Sequence, residues 1–202
     1  MKNRLLAQLP DHSAFTHTID EPHLYIVDWK DYKNGKVEIS GIEKPDIKAV
    51  HLINENRIEI FFDGFPENAL PITKKVRSKQ CECVIFPNNS NQEEWVLFIE
   101  TKYAQSLSIA QNNRINYPYQ MVQQIKATVA YFRMKRIIAT DKIVHAIISF
   151  PNLIDNFNSW TFPIIHEGQE ETVLDILQND KIIIRATNKA IIQDEKIIIL
   201  LS

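Results

Sequence analysis

The order of apolar and polar positions along the chain predicts strands in both of its halves. Alternating or nearly continuous apolar runs are typical of β-strands, and in the first half they cover residues 23–29, 37–42, 49–53, 57–63, 81–86 and 95–102. The polar segment 54–56 predicts a hairpin turn between two of these runs. The Asn-rich segment 87–94 predicts that the strands on either side of it are antiparallel neighbours.

One long amphipathic helix is predicted over residues 119–135. Met121 and Ile125 belong to a set of residues at the spacing of one buried helical face, and Pro118 precedes the helix, as is common at a first turn. Residues 143–150 are apolar almost throughout, which is typical of a strand covered on both faces. The remaining predicted elements are a short helix at 1–9, a helix at 170–178 and strands at 181–186 and 196–201.

These elements predict an α/β fold with a mixed central β-sheet flanked by helices. We divide the chain into a β-rich N-terminal extension (1–56), a core (57–150) and a C-terminal helix with strands that complete the same domain (151–202). The N-terminal strands either extend the central sheet or form a small β-subdomain. The C-terminal strands are richer in isoleucine than one buried face requires. They are therefore covered on both sides or form a subunit interface, such as that of a homodimer.

Composition excludes several classes of protein. The net charge of −2, with 24% charged residues, is unlike that of a disordered acidic tail or a strongly basic coat protein. The chain has neither GxGxxG nor GxxxxGK[ST], which argues against Rossmann and Walker-type nucleotide sites. Cys81 and Cys83 are the only cysteines, and their spacing suits neither a disulfide nor a zinc site. With no long apolar run and no signal peptide, we expect a cytoplasmic protein without a membrane partner.

Candidate chemistry lies at the end of the strand 95–102. Side chains alternate across a strand, so Glu100 and Lys102 point to the same side. If the preceding strand is the hairpin partner, the carboxylate of Glu82 can reach the same point. Two carboxylates suit Mg²⁺, and the backbone carbonyl of Thr101 offers a further oxygen. Such a site suits phosphodiester hydrolysis, in which Lys102 would hold the attacking water or neutralise developing charge.

The tripeptide acid-x-Lys is by itself weak evidence, because it occurs five times, at residues 28–30, 31–33, 46–48, 100–102 and 194–196. Context distinguishes the copy at 100–102, which ends an apolar strand, follows an acidic strand and precedes an amphipathic helix. Asp28 and Lys30 also end an apolar strand, but no acidic strand comes before them. A structural salt bridge between Glu100 and Lys102 is the alternative interpretation.

The order of these features resembles the PD-(D/E)XK nuclease superfamily, and small bacterial members in particular. Three segments carry the resemblance, namely Cys81-Glu82, Glu100-Thr101-Lys102 and Gln124-Ile125. The resemblance covers about residues 57–150 and implies a restriction-endonuclease-like core with extra N-terminal strands. It implies a Mg²⁺- or Mn²⁺-dependent endonuclease, a hydrolase acting on DNA, in which Glu82, Glu100 and Thr101 bind the metal. Glu82, Glu100 and Lys102 would then be the catalytic residues.

The chain departs from the family pattern in two places. Glu82 stands where Asp is usual, and its longer side chain can shift the metal. The family's opening helix, which often adds another carboxylate, is not evident before Cys81, and Glu59 and Glu67 are the nearest candidates for that carboxylate. A catalytically silent, dimeric binding module of the same fold is therefore the alternative function.

Nucleic-acid contacts are expected mainly from the basic segment before Glu82. Its cations are Lys74, Lys75, Arg77 and Lys79, which could also form a solvated edge loop. The resemblance adds Gln124, which would contact DNA phosphates or the metal-bound water, although it could equally flank a core helix. The cations at the end of the long helix complement the helix dipole. His145, inside an apolar strand, is interpreted as a hydrogen-bonded core histidine.

Overall fold

A computed structural model describes residues 1–30, 35–73, 75–89, 94–110, 116–153, 164–166 and 169–201. Its helices are α1 (Lys2–Gln8), α2 (Leu107–Ala110), α3 (Tyr117–Met134) and α4 (Val173–Asp180), with 3₁₀ turns at Pro10–Ala14 and Pro151–Leu153. Its strands are β1 (Thr16–Ile19), β2 (His23–Asp28), β3 (Val37–Ser40), β4 (Val50–Ile53), β5 (Ile60–Gly64), β6 (Cys83–Pro87), β7 (Leu97–Thr101), β8 (Val144–Ser149), β9 (Ile164–His166), β10 (Gln169–Glu171), β11 (Ile182–Ala186), β12 (Lys189–Ile192) and β13 (Ile198–Leu200). The predicted α/β class is confirmed. Among the described residues, no helix is both long and apolar enough to cross a membrane.

Six strands form a mixed main sheet in the order β1-β5-β6-β7-β8-β11. Neighbours from β1 to β7 are antiparallel, whereas β7, β8 and β11 run parallel to one another. Parallel neighbours need a crossover connection, and α3 and α4 lie in the two connections that provide it. The predicted antiparallel pairing across segment 87–94 is confirmed by the register of β6 and β7.

A second sheet joins the two ends of the chain in the order β13-β12-β4-β2-β3. Strand β12 runs parallel to β4, with Ala190 opposite Leu52, and the other neighbours in this sheet are antiparallel. Strands of the N-terminal region and of the C-terminal region therefore build one sheet. Strand β1 instead extends the main sheet. A separate two-stranded sheet contains β9 and β10.

The main sheet is covered on both faces, so its core has two parts. Phe61, Phe86 and Phe98 pack on the helix side, where the Phe98 and Phe132 rings meet edge to face at 5.3 Å between centroids. On the other face, residues such as Ile85 pack against the second sheet. Strand β8 contributes alternately to both parts, which confirms the prediction that it is buried on both faces. The layers are thus helices, main sheet and second sheet.

The long helix is confirmed to within two residues at either end. Its N-cap, Asn116, accepts a hydrogen bond from the Tyr119 N–H, and Pro118 lies in the first turn. The predicted face, which includes Met121 and Ile125, is fully buried against the main sheet.

The hairpin predicted at 54–56 is wrong, because β4 and β5 belong to different sheets. The buried side chain of Asn54 accepts a hydrogen bond from the Ile58 N–H at 3.0 Å and donates to the carbonyls of Ile58 and Glu21 at 3.0 and 3.1 Å. Arg57 adopts the left-handed backbone conformation with φ of 51°. These contacts direct the chain from β4 in the second sheet to β5 in the main sheet, so the two strands do not form a hairpin.

His145 gives the fold a measurable pH dependence. Its Nδ1 is buried and has no hydrogen-bond partner among the described residues, so the predicted hydrogen bond is not found at that nitrogen. Burial, followed by the charge of Lys142, lowers the pKa of His145 to about 4. A depressed histidine pKa contributes stability that is present above the unfolded pKa of 6.5 and is lost as the pH falls towards 4.

We expect His145→Gln to remove this loss of stability. Between pH 7 and pH 4.5 the wild-type free energy of unfolding should fall by about 2–3 kcal/mol more than that of the variant, at about 1.4 kcal/mol per pKa unit. Urea unfolding at both pH values measures the difference. His17→Gln, on an exposed position of β1, is the control. Equal pH dependence in wild type and His145→Gln would contradict the expectation.

Candidate active site

The pairing of β6 with β7 brings Glu82 close to Glu100. Cys83 pairs with Ile99, and the N–H of Glu82, just before β6, donates to the carbonyl of the same Ile99 at 3.0 Å. Glu82 therefore lies beside the end of β7 that carries Glu100. Both carboxylates are buried, Glu100 completely.

Lys102 links the two carboxylates. Its Nζ lies 2.7 Å from Glu100 Oε1 and 3.5 Å from Glu82 Oε1. Its backbone N–H donates to the carbonyl of Ser149 at 2.9 Å, which fixes the chain where β7 ends. The structure thus brings together the three predicted catalytic residues. Thr101 lies between Glu100 and Lys102 with a buried side chain.

Burial dominates the electrostatics of this group. Burial and then the charge of Glu82 raise the pKa of Glu100, and Lys102 opposes both, so that the pKa is about 8. Burial alone would lower the pKa of Lys102, but Glu100 and Glu82 outweigh burial and raise it. The Glu100 carboxyl therefore holds its proton more readily than an exposed glutamate does, while Lys102 remains an ammonium.

Two further residues of the site lie at the end of β2 in the second sheet and just after it. The Lys30 ammonium forms an ion pair with Glu82 Oε2. Asp28 is buried, and its Oδ1 accepts a hydrogen bond from the Lys30 N–H at 2.9 Å. Burial, followed by the charge of Glu82, raises the pKa of Asp28. Sequence reasoning set this acid-x-Lys pair aside, although it ends an apolar strand as Glu100 and Lys102 do.

Tyr103 holds the end of β2 against the segment that follows β7. Its hydroxyl accepts a hydrogen bond from the Asp28 N–H at 3.3 Å and donates to the carbonyl of Lys48 at 3.1 Å. The phenol thereby fixes the two acid-x-Lys segments relative to each other.

Helix α3 supports the backbone that leads into Glu82. The Gln124 side chain donates to the carbonyl of Gln80 at 2.9 Å, and the Cys81 N–H donates to Thr128 Oγ1 at 2.9 Å. The Thr128 hydroxyl in turn donates to the Gln124 carbonyl at 2.8 Å. Gln124 therefore positions the chain before Glu82, and its contact with nucleic acid stays a prediction.

The basic segment lies on the surface next to this support. Lys75, Arg77 and Lys79 are exposed, and Lys74 lies outside the described residues. Arg77 donates to the carbonyl of Thr73 at 2.9 Å, which orders part of the segment. These cations precede Glu82 in the chain, and phosphate binding by them stays a prediction.

The two carboxylates proposed from sequence as additions to the site are exposed. Glu59 accepts a hydrogen bond from the side chain of Asn88, just after β6, whereas Glu82 lies just before that strand. Glu67 is exposed in the segment after β5. The additional buried carboxylate beside Glu82 is instead Asp28, because β2 reaches the site from the second sheet.

The oxygens of this site fit a small divalent cation. Beyond the ion pair with Lys102, neither carboxylate oxygen of Glu100 has a hydrogen-bond partner among the described residues. No three His, Cys, Asp or Glu side chains in the described part of the chain are grouped to hold an ion. Glu82 and Glu100 would therefore be the protein carboxylates, and Mg²⁺ commonly takes one or two and keeps several waters.

Comparisons with protein-family models, with curated proteins and with solved structures find no match to this chain. The site combines two adjacent glutamates with a lysine that touches both.

Proposed function

We propose that the protein is a Mg²⁺- or Mn²⁺-dependent nuclease that hydrolyses DNA phosphodiester bonds. The observation that carries the proposal is the contact of Lys102 with both Glu82 and Glu100 on adjacent strands. Buried carboxylates that share a lysine are costly to retain for stability alone, and buried groups with shifted pKa values concentrate at functional sites.

The chain order of the elements supports the same proposal. Glu82 comes just before β6, Glu100 lies in β7 and Lys102 just after it, and α3 follows with Gln124 before the parallel strand β8. This is the order on which the resemblance to the PD-(D/E)XK nucleases rests. A restriction-endonuclease-like core is part of the proposal, as is the cytoplasmic location expected from the sequence.

Each residue has a distinct role in the proposed reaction. Glu82, Glu100 and the carbonyl of Thr101 would hold the metal. When bound, the metal supplies positive charge for the phosphate oxygens and lowers the pKa of a coordinated water. Lys102 orients the attacking water and neutralises negative charge as the P–O bond breaks. Lys74, Lys75, Arg77 and Lys79 would bind the DNA backbone beside this centre.

A cleavage assay with Lys102→Ala tests the proposal. Linear, circular, single-stranded and branched DNA are incubated with Mg²⁺, Mn²⁺ or EDTA. We expect metal-dependent cutting that the variant reduces by about 10²–10³-fold, the usual effect of removing one charge-stabilising group. Lys196→Ala is the matched control, because it changes an exposed acid-x-Lys lysine far along the chain and should cut as wild type.

One observation favours a second candidate, a catalytically silent binding module. Lys30 and Lys102 already balance the charges of Glu82 and Glu100, as in a structural salt-bridge cluster. In that case both proteins are inert on every substrate, and Lys102→Ala lowers stability only. A homodimer would then use β13, the end strand of the second sheet as described, with the exposed Ile199 in the strand and the exposed Ile197 just before it. Sedimentation velocity measures that association.

A further inference from the structure

We propose that Lys30 is a built-in counter-ion of Glu82 which a divalent cation has to displace, so that the end of β2 sets the metal affinity of the site. This inference rests on the proposed function and concerns the regulation of the same centre. It assigns a role to the second sheet, which lies outside the segments that carry the family resemblance.

The two oxygens of Glu82 are held by different lysines. Lys30 is paired with Oε2, and Lys102 lies 3.5 Å from Oε1. A metal bound to Glu82 would lie about 2.1 Å from one of these oxygens. An ammonium on the same carboxylate would then repel the metal strongly at such short range. At least one of the two lysines therefore has to move before the metal binds.

Lys30 is the lysine that can leave. Lys102 is held at 2.7 Å by Glu100, and its N–H is bonded to Ser149. About a quarter of either side chain is exposed, but the only ion pair of the Lys30 ammonium among the described residues is with Glu82, whereas Lys102 has two. The flexible stem of Lys30 can carry the charge into water while the backbone stays bonded to Asp28.

The position of Lys30 connects metal binding to the meeting of the two sheets. Asp28 fixes the Lys30 backbone, and Tyr103 fixes Asp28 to the segment after β7. The ammonium is thereby presented to Glu82 from across the interface between sheets. Metal affinity is then set by a residue that belongs to neither strand of the glutamate pair.

Direct measurement of Mn²⁺ binding tests the inference without requiring activity. Electron paramagnetic resonance of free Mn²⁺ gives the Kd of wild type, Lys30→Met, Lys30→Gln and Lys30→Arg. We expect the two neutral variants to bind Mn²⁺ about tenfold more tightly or better, since a competing charge is removed. Lys30→Arg keeps the charge and should remain within about twofold of wild type. Lys196→Met, at an exposed lysine, should not change the Kd.

The outcomes separate this inference from the proposed function. Equal or weaker Mn²⁺ binding by folded Lys30→Met and Lys30→Gln overturns the inference and leaves the nuclease intact if wild type still cuts DNA. If Lys30→Met and Lys30→Gln bind Mn²⁺ but wild type does not, the role of Lys30 as a counter-ion is supported. Lys30 then blocks the metal site of the wild-type protein, and this overturns the nuclease activity of the unmodified chain. If neither wild type nor any Lys30 variant binds Mn²⁺, both the counter-ion inference and the proposed metal-dependent function are overturned. Circular dichroism confirms that each variant is folded.

Discussion

Glu100→Gln is expected to abolish metal-dependent cleavage while making the folded protein more stable at pH 8. Burial and the neighbouring Glu82 raise the pKa of Glu100 to about 8, against a usual value of 4.5. A carboxyl with a raised folded pKa contributes stability that is fully present below pH 4.5 and is lost as the pH rises through 8. Glutamine keeps the shape of the protonated side chain but does not ionise, so the variant escapes that loss.

The expected gain at pH 8 is on the order of 4–5 kcal/mol in the free energy of unfolding, because the pKa rises from 4.5 to about 8 and each unit corresponds to about 1.4 kcal/mol. At pH 4.5 the two proteins should differ little. Urea unfolding across this range measures both values. Cleavage activity is expected to fall, although stability rises, because a carboxamide cannot replace an anionic metal ligand. We expect a loss of at least about 10³-fold in the rate of cleavage.

The control for this prediction is Glu67→Gln, at an exposed glutamate of the segment after β5. It makes the same chemical change outside the buried group and should alter neither cleavage nor the pH dependence of unfolding. A Glu100→Gln protein that cuts DNA as wild type would remove Glu100 from the catalytic centre. A gain in stability that is independent of pH would contradict its proposed titration.

The contact of Lys102 with both Glu82 and Glu100 could be predicted from sequence because its causes are local. Two apolar strands are joined by a short polar segment, and side-chain alternation then assigns Glu100 and Lys102 to one side. Helix α3 could be predicted equally well, because Pro118 and the apolar face that includes Met121 are recognisable in the sequence. In each case neighbouring residues carry the signal.

The contribution of β2 could not be predicted in the same way. Asp28 and Lys30 meet Glu82 only because the second sheet packs across the main sheet, and that contact joins residues 52 positions apart. The requirement for an acidic strand immediately upstream in the sequence therefore excludes Asp28 and Lys30 from the predicted site. The pairing of β12 with β4 is likewise long-range, and the local sequence of Lys189–Ile192 does not indicate which strand β12 pairs with.

The failed hairpin at 54–56 shows how one side chain redirects the chain. Polar residues between two apolar runs favour a turn, but they do not specify which strands it joins. Asn54 is fully buried, and its side chain bonds to backbone groups of Glu21 and Ile58. Those bonds satisfy polar groups at the crossing between sheets that a hairpin ladder would otherwise pair.

Asn54→Ala is therefore expected to destabilise the fold by about 1–3 kcal/mol in total, because it removes a buried amide and leaves three part-buried backbone groups without that partner. The groups are the carbonyl of Glu21 and both the N–H and carbonyl of Ile58. Urea unfolding with an unchanged m-value would attribute the loss to stability alone.

Asn56→Ala is the matched control two residues further along the chain. Asn56 is exposed, and its side chain makes one hydrogen bond, to the carbonyl of Gln193 at 2.7 Å. Water can replace that bond, so the expected loss is below about 1 kcal/mol. If Asn54→Ala costs no more than Asn56→Ala, the buried amide does not direct the crossing. The backbone turn would then have to do so, in which the Arg57 N–H donates to the carbonyl of Asn54 at 2.8 Å and Arg57 is left-handed.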